Sequence, residues 1–176
     1  MVVSGVDIKI VRTLNIQNYF YQIMKENIKE ILSSFFEQTE TDNLTANHFP
    51  SFYSGLKLKV GFGKGNVAKI PWITFLGIGQ KPQNGIFPVY YFFKEQKKLI
   101  LAYGISETEK PQKNWLVDSE TKTIAKYFNS FGITPYKYGL SYVYEVYDSN
   151  KNLDWNKIEI DLDTLIEKYK KNMQTK

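Results

Sequence analysis

The chain has 176 residues, of which 43% are hydrophobic and 16% aromatic, and a formal net charge of +5. That is enough apolar material for one folded core and excludes a disordered chain. With no cysteine and a single histidine, His48, the chain cannot form disulfides, Cys-ligated zinc sites, His-rich metal sites or thiol nucleophiles.

The opening MVVSGVDIKIVRTLN carries Asp7, Lys9 and Arg12, so it does not read as a signal peptide. No apolar run reaches the ~18 residues of a membrane helix, and the expected setting is cytoplasmic with no membrane partner. From Asn15 to Gln38, Ile16, Tyr19, Phe20, Ile23, Ile31 and Phe35 recur at helical spacing between charged residues, which predicts an amphipathic helix. The polar stretch QTETDNLTANHFP follows as a loop. LKLKVGF then alternates: Leu56, Leu58, Val60 and Phe62 share one face of a predicted strand, with Lys57 and Lys59 on the other.

IPWITFLGI and IFPVYYFF predict two further strands joined by the turn GQKPQNG. Pro88 cannot donate to a ladder, so the second is expected at an edge or with a bulge. KKLILAYGI predicts a fourth strand. DSETKTIAKYFNSF predicts a helix capped by Asp118 or Ser119, with Ile124, Phe128 and Phe131 inward. SYVYEVY predicts the last strand. A final helix is expected over Leu162–Met173, opened by Asp161 or Asp163, with KYKKNMQTK as a solvated tail. The fold class is α+β, a largely antiparallel sheet core with flanking helices in a single domain. Residues 1–48 read as a helical extension and 49–176 as the domain proper, ending in the C-terminal helix.

Charge is unevenly distributed. Residues 49–140 carry 13 basic and 5 acidic side chains, whereas the segments on either side are each slightly acidic. A basic central segment rich in aromatics points to a polyanionic partner. Gly61, Gly63 and Gly65 are not a nucleotide loop, because they lead into Ile70-Pro71-Trp72 and not into a helix N-terminus. They read as a strand-to-strand loop whose backbone approaches a ligand closely, with Lys64 and Lys69 as its charge. No nucleophilic triad or metal set is present in the sequence. Glu107, Glu109, Asp118 and Glu120 read as solvated or capping groups, and the chain reads as a recognition module and not an enzyme.

Several blocks, SFYSGLKLKVGFGKGNVAKIPWITFLGIGQ, NGIFPVYYFF, LILAYGISETEKP, TIAKYFN and PYKYGLSY, resemble in order and spacing the N-terminal DNA-binding domain of the McrB family. The resemblance runs from about Phe52 to Tyr142. It implies a module that recognises 5-methylcytosine or a related modified cytosine in double-stranded DNA by flipping the base into an aromatic pocket. It assigns Trp72, Phe87, Tyr91 and Tyr138 to that pocket. It assigns Gly63, Lys64, Gly65, Asn66 and Lys69 to a DNA-contacting loop, and leaves Lys57 and Lys59 for the DNA backbone. Phe87 and Tyr91 stand where a well-known member has tyrosine and leucine, and Lys64 stands where that member has a tyrosine filling the gap in the duplex. A tyrosine at position 91 adds a hydroxyl that a polar base substituent can meet. The resemblance further implies no cofactor for this domain, with GTP and Mg2+ belonging to a motor domain elsewhere in a longer protein, and a nuclease subunit as partner of that protein. Two other readings fit the same residues: a reader of another modified base or of RNA, and a protein-interaction module.

Overall fold

The computed structural model describes residues 27–175. Six strands, β1 (Phe52–Tyr53), β2 (Leu56–Lys64), β3 (Asn66–Leu76), β4 (Ile86–Phe93), β5 (Lys98–Ile105) and β6 (Tyr142–Asp148), form one sheet. Their order in space is their order in the chain, and every neighbouring pair is antiparallel. Among the described residues three helices accompany it: α1 (Ile28–Thr39), α2 (Ile124–Asn129) and α3 (Trp155–Gln174). The α+β class with an antiparallel core is therefore what the chain adopts.

Period-two alternation divides the sheet into two faces. On one face Leu58, Phe75, Tyr90, Phe92, Leu99 and Leu101 are buried with Ile31, Leu32 and Phe35 of α1 and Ile158, Leu162, Leu165 and Tyr169 of α3. On the other, Phe87, Val89, Tyr91, Phe93, Ile100 and Ala102 pack with Ile124 and Phe128 of α2. Central strand β4 is buried along its whole length, because both of its faces are covered. The apolar side of α1 thus lies in the core it shares with the sheet, although residues 1–48 read as an extension.

Three tyrosines of the larger core hydrogen-bond through their hydroxyls, which offsets the cost of burying a phenol. Tyr90 donates to the Ile158 carbonyl at 3.3 Å, Tyr147 donates to Asp161 at 2.7 Å, and the Gly77 N–H donates to the Tyr169 hydroxyl at 3.0 Å.

Element boundaries differ from expectation where capping decides them. The expected helix over Asn15–Gln38 begins at Ile28, because Asn27 is extended and its side chain accepts from the Lys29 N–H at 2.9 Å; its portion over 15–26 lies outside the described residues. Helix α2 is shorter than expected. Lys122 and Thr123 pair with β6, Thr123 and not Asp118 or Ser119 is the cap, and Phe131 falls beyond the helix, exposed. Helix α3 is longer than expected. Asp154 caps it at the Lys157 N–H, and Asp161 sits within it as the partner of Tyr147. Its last turn is not a free tail: Tyr169 and Asn172 are buried, and Lys113 donates to the Met173 and Thr175 carbonyls. Strand β4 is interior and not an edge. The β3–β4 ladder runs from Trp72↔Tyr91 to Thr74↔Val89 and stops before Pro88, so the missing donor has no β3 partner to fail.

Candidate nucleic-acid interface

The stretch expected to be a glycine loop is an extended arm. Strands β2 and β3 stay paired out to Gly63↔Val67 and Lys64↔Asn66, leaving Gly65 alone at the tip with φ +79°. A register shift between Gly61 and Gly63 twists the arm. Gly63 has φ +123°, and a Cβ there would lie 2.0 Å from the Asn66 carbonyl oxygen, so no other residue fits. Gly61 is needed for a different reason. It faces Trp72 across the ladder, and a Cβ would lie 2.3 Å from the indole ring. The bare glycine lets that ring lie flat across β2.

Trp72, Phe87, Tyr91 and Tyr138 line one cavity of about 390 Å³, together with Pro82 and Gln83 of the β3–β4 connection, Ser106 and Glu107 after β5, and Lys137. The β3–β4 register makes Trp72 and Tyr91 direct neighbours, and Phe87 lies opposite Gly104. Tyr138 reaches the cavity from the segment before β6. Its ring stacks on Tyr91 with centroids 4.2 Å apart and planes 13° from parallel. Such an apolar cleft with a few convergent polar groups is the usual form of a small-ligand site.

Two of these rings are held by polar partners. Tyr138 has φ +66°, a left-handed conformation that is costly for a side chain of this size. The Glu107 carboxylate holds that turn, accepting from the Tyr138 N–H at 2.8 Å and the Leu140 N–H at 3.2 Å. Burial raises the Tyr138 phenol above its ordinary pKa and the Glu107 charge adds to the rise, while a hydrogen bond with the Trp72 indole opposes it. Burial raises Tyr91 much further, opposed by a hydrogen bond with Ser141. The Ser141 hydroxyl also accepts from the Ile105 N–H at 3.0 Å. The Tyr91 hydroxyl thus lies beside Ser141, and its ring is the part that stacks on Tyr138.

A second concavity, of about 570 Å³, opens beside the first between the β2–β3 arm and residues 136–138. Gly63, Lys64, Asn66 and Lys69 line it from the arm, and Tyr136 and Lys137 line it from the opposite side. Trp72, Lys137 and Tyr138 belong to both hollows and form the wall between them. Lys57 and Lys59 line neither. They are exposed on β2, opposite Leu76 and Thr74, and so share the sheet face of the cavity.

Sequence reasoning missed Glu107, Ser141, Tyr136 and Lys137. Glu107 and Ser141 meet their partners only through the fold, but the aromatic–basic alternation in PYKYG was visible beside Tyr138. Among the described residues no cluster of His, Asp and Glu could hold a metal ion, and no helix is long and apolar enough to cross a membrane.

Residues 15–132 match the family described as MrcB-like, N-terminal domain. Over 148 residues, 82% of this chain, the sequence is 38% identical to the type IV methyl-directed restriction enzyme EcoKMcrB subunit of Escherichia coli strain K12. The alignment covers 32% of that relative, so the chain spans about a third of its length. The family match takes in α1, five of the six strands and α2. This chain belongs to the MrcB-like N-terminal domain family.

Proposed function

We propose that the chain is a DNA-recognition module that binds duplexes containing a modified cytosine and receives the flipped base in the cavity of Trp72, Phe87, Tyr91 and Tyr138. The observation that carries this reading is the convergence of four aromatic rings on one cavity whose wall is shared with a lysine-bearing groove. A base leaving the stack loses π-contacts that aromatic walls replace, and a close-fitting cavity registers a single added methyl group. The groove and the lysines of β2 supply the sequence-independent attraction to phosphate that holds the duplex beside it. The name of the Escherichia coli relative, a methyl-directed restriction subunit, agrees with this assignment. In the longer protein that the reading implies, GTP and Mg2+ belong to a motor domain and cleavage to a nuclease subunit, acting in the cytoplasm. The domain itself binds no cofactor.

The test is a panel of matched duplexes differing at one cytosine: unmodified, 5-methyl, 5-hydroxymethyl and N4-methyl. At least one modified duplex is expected to bind more tightly than the unmodified one. Trp72→Ala and Tyr138→Ala should each remove stacking worth about 1–3 kcal/mol, by analogy with single-strand stacking platforms. They should lower the preference for the modified base more than general DNA affinity, with thermal melts confirming that the variants fold. Equal affinity across the panel, or folded variants that keep the full preference, would overturn the reading.

A further inference from the structure

Tyr136 is two-thirds exposed, next to the cavity wall, and two cations converge on its ring. The Lys69 ammonium lies 5.1 Å from the ring centroid and the Lys137 ammonium 5.6 Å, so at most about 11 Å separates them. One comes from the β2–β3 arm and the other from the segment carrying Tyr138, so the ring joins the two sides of the groove. A cation over a tyrosine face is attracted by the ring quadrupole. Two ammoniums gathered at one ring also repel each other, and among the described residues no carboxylate makes an ion pair with either. Among the described residues the ion pairs are made by Lys98, Lys157 and Lys170. Glu107, which shares the cavity lining with Lys137, is engaged by the Tyr138 and Leu140 N–H groups. Glu95 borders a hollow on the Lys69 side but pairs with neither lysine.

We propose that Lys69 and Lys137, gathered by the Tyr136 ring, form a site for one backbone phosphate of the bound strand, adjacent to the base cavity. The proposal rests on the DNA-binding reading above. The ligand is a phosphodiester because the site lies on an open groove that a strand can follow, and because Lys137 precedes the cavity ring Tyr138 in the chain. A phosphate clamped at Lys137 therefore fixes the backbone within one residue of the ring expected to meet the base. Lysine approaches phosphate as a point charge, which suits a contact that positions the strand without reading sequence.

The experiment uses the full 176-residue chain and a duplex carrying one modified cytosine. Affinity is measured against salt for the parent, Lys69→Gln, Lys137→Gln, the double variant, Tyr136→Phe and Tyr136→Ala. Losing one phosphate contact lowers the slope of log affinity against log salt by about 0.9, so a fourfold rise in salt costs about 3.5-fold less affinity than in the parent. The double variant should show that single loss. Each lysine variant should show most of it alone, because the two act on one phosphate. Tyr136→Phe should match the parent and Tyr136→Ala the lysine variants. Replacing backbone phosphates one at a time with neutral methylphosphonate should reveal one position beside the modified cytosine that weakens the parent and leaves the double variant unchanged.

A slope unchanged in the double variant, a loss of about 1.8 as for two independent contacts, or no position with that pattern would overturn the site while leaving DNA binding intact. A parent chain without salt-dependent DNA affinity would overturn the DNA-binding reading, and the phosphate site with it.

Discussion

At the scale of single residues, the cavity depends on Glu107 as much as on its rings. Tyr138 stands in a left-handed conformation, and a carboxylate supports the Tyr138–Leu140 turn by accepting from two of its N–H groups. Glu107 is therefore a positioning residue for the ring. Glu107→Ala frees both N–H groups, so the turn should relax and the preference for modified cytosine should fall. Glu107→Gln keeps one carbonyl acceptor and should fall less, and Glu107→Asp, with a shorter reach, should lie between them. The duplex panel with a thermal melt checks the order, and an Ala variant that keeps the full preference would remove Glu107 from the account. The four rings were assigned through the family resemblance, because each lies in one of the blocks that carry it. Glu107 also lies in such a block but read only as a solvated or capping group, since its partners lie 31 and 33 residues away and only the packed fold brings them together. Tyr91 was legible as a cavity residue, but its hydroxyl was not. Its neighbour Ser141 comes from a distant stretch of the chain, just before β6.

At the scale of elements, strands were easier to read than helices. Strict alternation defines β2, and continuous apolar runs define β4 and β5, so their periodicity survives in isolation. Helix ends depend on which of several capping residues is left free by tertiary pairing. Thr123 prevails over Asp118 because β6 holds Lys122 and Thr123 in extended form. The glycines were read as a loop whose backbone approaches a ligand, yet Gly61 and Gly63 lie in β2 and each serves the arm. Gly61 makes room for an indole, while Gly63 supplies a backbone angle and a close approach. Their substitutions should therefore behave differently. Gly61→Ala pushes the Trp72 ring out of place and should lower the modified-base preference, with a modest loss of stability. Gly63→Ala collides with backbone at positive φ, a strain of about 1–3 kcal/mol or more, and should distort the arm and weaken binding to all duplexes. Melting curves and the duplex panel separate the two. Equal effects on preference and on general affinity in both variants would contradict the division.

At the scale of the molecule, the sheet separates two surfaces of different character. Helices α1 and α3 cover one face, and both belong to chain segments with a slight acidic excess. The other face carries the cavity, the groove and the basic residues Lys57, Lys59, Lys64, Lys69 and Lys137 of the central segment. A net charge of +5 thus understates the field that a duplex meets on approach. If that asymmetry governs binding, the position of a charge matters more than its contribution to the total. Lys57→Glu/Lys59→Glu and Lys168→Glu/Lys171→Glu change the net charge by the same amount. The first pair lies on the cavity face and the second on exposed positions of α3. The β2 double variant should lose affinity for all duplexes, modified or not, and flatten the salt dependence by up to about 1.8 in slope if each lysine meets one phosphate. The α3 double variant should bind nearly as the parent does, since charges beyond a Debye length of about 8 Å at physiological salt are largely screened. Equal losses in both variants would mean that total charge, and not the polarity of the sheet, draws the chain to DNA.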